Sequence, residues 1–127
     1  MRRSGLVAVV MLLATVLVPL SASPASASVV VRAVSTGIGT GAYRPATTRI
    51  ASGTRVVFRA GSGTHTITSI GANWSFNRTI DANPATATPV KVAFTFRRTG
   101  GFRFRCLFHS TLVAGTCSGM CGRVRVN

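Results

Sequence analysis

Acidic residues are almost absent: Asp81 is the only carboxylate side chain in 127 residues, against 15 lysines and arginines. Chemistry that needs paired carboxylates, such as glycoside hydrolysis, is excluded at once. A Ser-His-Asp relay would have to be built on Asp81, and no strained G-x-S-x-G turn is present to carry its nucleophile. No glycine loop opens a helix to cradle phosphate. Histidine is nearly as scarce, with only His65 and His109, and cysteines number three. After residue 27 no segment has an apolar stripe at helical spacing, which argues against helices in the body of the chain.

What is present begins with a leader. Arg2 and Arg3 form a positive start, residues 5–20 an apolar stretch, and Ala25-Ser26-Ala27 a small-x-small cleavage pattern. The apolar stretch falls short of the ~20 residues a bilayer span needs. The sequence therefore predicts an exported protein with no permanent membrane span: secreted, periplasmic or associated with the cell surface. Residues 28–127 make one domain. They carry thirteen basic side chains against Asp81, a net charge of +12, and every one is arginine except Lys91. Such a surface favours anionic partners. The arginines alternate along strand-like runs and do not cluster with exposed aromatics, so nucleic acid is not the expected partner.

Alternation with period two runs through the domain. Val56 and Phe58 share one parity with Arg55, Val57 and Arg59 on the other. Val90, Val92, Phe94 and Phe96 alternate with polar residues, and Phe102, Phe104 and Cys106 with Arg103 and Arg105. The pattern predicts an all-β sandwich of about seven to eight short strands in two sheets. The segments around Ile50 and Val56 read as a hairpin turned at Gly53, and Thr99-Gly100-Gly101 as the turn into the Phe102 strand. Residues 71–89 are polar and turn-rich, with no long element predicted, and Trp74 and Phe76 within them read as a lid on the core.

The remaining chemistry is concentrated. Cys106, His109 and Met120 fall between two strand-like runs, and His65 sits at a loop-to-strand junction, held by a sheet yet open at the sandwich end. Two imidazoles, a thiolate and a weak axial thioether are the donor set of a blue-copper electron-transfer site.

At this point the chain resembles the plastocyanin and azurin family of small blue-copper proteins, the cupredoxins. Tyr43-x-Pro45, Gly53, Val56 and Phe58 resemble its second and third strands, and His65-Thr66 its first copper histidine and the residue after it. Thr99-Gly100-Gly101-Phe102-Arg103-Phe104-Arg105-Cys106-Leu107-Phe108-His109 resembles its copper-loop motif, and residues 122–127 its closing strand. The resemblance implies a Greek-key β-sandwich holding one copper ion, with His65, Cys106 and His109 as strong ligands and Met120 as the axial one. It also implies an electron carrier and not an enzyme, monomeric, docking a redox partner protein through the rim around His109. A basic surface would select an acidic partner. The alternatives from other classes are a module that captures or delivers copper, and a metal-free domain that binds anionic surfaces. The chain departs from the family between His109 and Met120, where ten residues replace a shorter interval. Cys117 and Cys121, spaced C-x3-C, can close a disulfide in an exported protein and clamp the Met120 turn. Pairing of Cys106 with either would instead consume the copper thiolate.

Overall fold

The structure is a computed structural model that describes residues 27–127, and the expected leader, residue 27 apart, lies outside the described residues. Nine strands follow one another: β1 (Ser28–Gly37), β2 (Thr40–Arg44), β3 (Thr47–Ile50), β4 (Thr54–Ala60), β5 (Thr64–Ile70), β6 (Asn77–Asp81), β7 (Lys91–Phe96), β8 (Gly100–Val113) and β9 (Thr116–Val126). They form two sheets, in the order β2-β1-β4-β7 and β3-β9-β8-β5-β6. Both sheets are mixed, because β1 runs parallel to β4 and β3 parallel to β9. The all-β sandwich predicted from alternation is the fold observed.

Three local expectations change. The chain changes sheets at Pro45, which has no N–H to give to a ladder, so β2 and β3 are separate strands in different sheets. The residues between Ile50 and Thr54 also cross between sheets, so β3 and β4 do not form a hairpin, and the passage from β7 to β8 is likewise a crossing. A hairpin turn and a sheet-crossing turn use the same glycines, and parity alone does not separate them. Within the turn-rich residues 71–89 a short edge strand, β6, pairs with β5.

Alternation places one face of each sheet inward. Val31, Tyr43, Val56, Phe58 and Phe96 of the first sheet meet Ile67, Ile80, Phe102, Phe104 and Val124 of the second. The Phe58 ring has no exposed surface, and burial of such a side chain contributes about 1.5–3 kcal/mol. Trp74 is the lid that was expected. Its ring lies 5.4, 5.3 and 6.2 Å from those of Phe94, Phe96 and Phe102, and its Nε1–H donates to the Arg103 carbonyl at 3.0 Å.

Among the described residues one buried side-chain polar atom is unsatisfied: the Thr48 hydroxyl has no hydrogen-bond partner. Thr48→Val keeps the shape and removes that group, so it should stabilise the fold by about 1 kcal/mol and raise the melting temperature by ~4–8 °C. Thermal denaturation checks this, and a lower melting temperature would contradict it.

Candidate metal centre

The site is an interruption in the β8–β9 ladder. Pairing runs from Gly100↔Val126 to Arg105↔Cys121, stops, and resumes at Ser110↔Gly119. In the gap, residues 106–109 of β8 oppose Met120 alone on β9. Cys106 points into the core because it continues the parity of Phe102 and Phe104, and it is fully buried, as are His65 and, to within 1%, Met120. His109, at the far end of the bulge, is half-buried.

The ten residues between His109 and Met120 are paired with one another. Ser110 to Val113 form ladder pairs with Thr116 to Gly119, around a two-residue turn at Ala114 and Gly115. Both have positive φ, 46° and 77°, the geometry of a type I′ hairpin turn. Because the ladder closes again at Ser110↔Gly119, His109 and Met120 stay adjacent across the hairpin despite their separation in sequence. The expected disulfide is present between Cys117 and Cys121, whose Cα atoms lie 6.1 Å apart. Four steps of extended strand cover ~13 Å, so β9 doubles back here, with Gly119 at φ 91°. The hairpin folds back over the second sheet, and Arg103 Nη1 donates to the Gly115 carbonyl at 2.8 Å. Cys106 is free.

Three donor atoms converge. His65 Nδ1 and His109 Nδ1 are 3.2 Å apart, Cys106 Sγ is 3.3 Å from His109 Nδ1, and it is 3.9 Å from His65 Nδ1. His65 Nε2–H donates to the Ser62 carbonyl at 2.7 Å, which fixes the tautomer and leaves a lone pair on Nδ1. Two ring nitrogens 3.2 Å apart, one of them a lone pair, need a proton or a cation between them. Donors about 2.0–2.3 Å from one common centre would make a triangle of these edges, so the residues fit a single ion. Soft sulfur with two imidazoles suits copper. Burial holds the His65 pKa below its ordinary 6.5, opposed by the hydrogen bond to Ser62, and His109 lowers it further.

Thr66 ties the site together. Its N–H donates to Cys106 Sγ at 3.4 Å, its hydroxyl oxygen accepts the Leu107 N–H at 2.8 Å, and its carbonyl accepts the Tyr43 hydroxyl at 2.5 Å. Burial, and next the Cys106 sulfur, push the Tyr43 pKa upward, so the phenol stays a donor. Ser110 Oγ donates to the Cys106 carbonyl at 2.5 Å and braces the bulge. Gly41 of β2 walls the remaining side: a Cβ there would lie 2.6 Å from Met120 Sδ and 3.2 Å from His65 Cε1. The Met120 sulfur is thus beside the His65 ring. Sequence reasoning singled out the four donors but gave no supporting role to Ser62, Ser110 or Gly41: Ser62 acts through its carbonyl, Ser110 through a hydroxyl bond to the backbone of Cys106, and Gly41 through lacking a side chain.

No family model and no curated protein matches the chain. Solved structures do match. A novel purple cupredoxin from Nitrosopumilus maritimus is 23% identical over 76% of this chain and 98% of that one, with a TM-score of 0.53. Native pseudoazurin from Hyphomicrobium denitrificans is 18% identical over 80% and 76%, with a TM-score of 0.57. The oxidized form of plastocyanin from Dryopteris crassirhizoma is 16% identical over 78% and 100%, with a TM-score of 0.56. At these identities the likeness establishes the fold, which is the cupredoxin fold.

A histidine whose pKa is lowered by folding binds its proton more readily in the unfolded chain. The metal-free protein should therefore keep its full stability above pH 6.5 and lose it as the pH falls below that value toward the lowered one in the fold. Thermal melts between about pH 5 and 8 read the slope. His65→Gln should flatten it, and an unchanged slope would assign the effect to another group.

Proposed function

We propose that this cupredoxin-fold chain holds one copper ion on His65, Cys106 and His109, with the Met120 thioether as a fourth, weaker donor, and carries single electrons between redox partners outside the cytoplasm. The observation that carries this reading is the triangle of two Nδ1 atoms and a free Sγ with edges of 3.2, 3.3 and 3.9 Å. Copper in such a donor set supplies a one-electron Cu(I)/Cu(II) couple.

The chain's own groups suit that role by being unable to move. His65 is locked by Ser62, and Cys106 is held by its strand and by the Thr66 N–H. Fixed donors keep reorganisation small when the charge changes. His109 alone reaches toward solvent, which makes it the port. Leu107, Phe108, Leu112 and Val113 are exposed and form an apolar rim for a docking partner. Phe108 bears on this directly, because the other six phenylalanines pack in or against the core while its ring is 58% exposed. The basic surface would steer acidic partners to the encounter.

The copper-loaded protein should show an intense band near ~600 nm from thiolate-to-Cu(II) charge transfer, and Cys106→Ser should abolish it. Copper held only as colourless Cu(I) would favour capture or delivery over electron carriage, and copper uptake unchanged in Cys106→Ser would remove the centre altogether. Gly41→Ala should keep the copper but shift the band, because the flexible Met120 thioether yields to the new Cβ before the backbone does. An unaltered spectrum in that variant would detach Met120 from the site.

A further inference from the structure

Four cations stand in one line on the outer face of the first sheet. The ladder pairs Arg44 with Arg32 across β2 and β1, Arg32 with Arg59 across β1 and β4, and Arg59 with Lys91 across β4 and β7. Each of the sheet's four strands therefore contributes one positive charge to a single row. All four side chains are exposed, and their strand neighbours Val31, Ala33, Tyr43, Phe58 and Ala60 are buried, so the row faces outward. We infer that this row is a binding track for a linear phosphate-bearing polymer, on a face distinct from the rim around His109.

The arrangement is costly without such an occupant. Like charges directly opposite one another across strands destabilise a sheet. Among the described residues no acidic side chain relieves them. The only carboxylate side chain, Asp81, belongs to the other sheet, where its oxygens accept from the Asn83 N–H at 2.9 Å and the Thr86 hydroxyl at 3.3 Å. Among the described residues no side-chain hydrogen bond or ion pair engages Arg32, Arg44, Arg59 or Lys91, whereas the side chains of Arg78, Arg98 and Arg103 donate to backbone carbonyls. The next row on the same face, Val30↔Val57↔Ala93, is uncharged. Beyond it the row Ser28↔Arg55↔Thr95 carries a single cation, so the face's charge is concentrated in the one row of four.

The pitch of the line selects the occupant. Adjacent strands lie about 4.8 Å apart, so four cations span ~14 Å. An extended acidic peptide presents same-face carboxylates only every ~6.7 Å, out of step with the row, while a phosphate chain with flexible linkages can place successive charges at the strand spacing. Three of the four cations are guanidinium forks, which take two phosphate oxygens at once. The rim around His109 is built on β8 and β9 of the opposite sheet, so a bound polymer leaves it free. This inference stands without the copper reading.

The test measures binding of long-chain inorganic polyphosphate by the full chain over a series of salt concentrations. The variant Arg32→Gln, Arg44→Gln, Arg59→Gln, Lys91→Gln is compared with an equally charged one, Arg49→Gln, Arg78→Gln, Arg97→Gln, Arg125→Gln. Losing four phosphate contacts should lower the slope of log K against log salt by about 3 and the affinity at least ~100-fold near 0.1 M salt, with the comparison variant losing under ~5-fold. The row variant should melt at or above the parent's temperature, because repulsion is relieved. Should it fail to fold, the single substitutions must each lower the slope by ~0.7–0.9. Equal losses in the two quadruple variants would reduce the effect to net charge and overturn the inference. Tighter binding to polyglutamate of matched length than to polyphosphate would overturn the phosphate assignment.

Discussion

The centre depends on Thr66, whose main chain and side chain join three strands at one residue. Its N–H reaches the Cys106 sulfur, its hydroxyl accepts from Leu107, and its carbonyl accepts from Tyr43. The thiol is thereby fixed on the residue after His65, and β5 is tied to β8, the strand of Cys106 and His109. Thr66, Cys106 and Tyr43 are all within 3% of full burial, where a hydrogen bond left unmade is expensive. The sulfur and the phenol are positioned from this point, and His65 precedes it in the chain.

Much of the fold was legible because alternation is a direct report of which face a side chain takes. Cys106 inward with Phe102 and Phe104, and Arg55 and Arg59 outward around Val56 and Phe58, followed from parity and are observed. Which strands pair is a different kind of information. Gly53 and Gly100 mark turns in either case, and whether a turn folds back within a sheet or crosses to the other is decided by packing of the two aromatic faces. That long-range choice leaves no local signature. The strand β6 was hidden for a related reason: an edge strand beside β5 needs only one partner and little apolar character.

The donor residues were legible from scarcity, since both histidines of the chain lie in the cluster. The means by which Met120 reaches it were not. Ten residues after His109 read as slack, and only the register shows them zipped into a ribbon with Ala114 and Gly115 at its turn. The disulfide from Cys117 to Cys121 was foreseeable from spacing, and its role in folding β9 back on itself became visible only with Gly119 at positive φ.

Chain length between two metal donors is commonly taken as a ruler of how freely they move. Here the ruler fails, because the pair Ser110↔Gly119 seals the opening before the ribbon departs. Everything beyond that seal is an appendage on whose size the facing of His109 and Met120 does not depend, so evolution or an engineer can trim or extend it at its tip while the two side chains keep their places across the ladder.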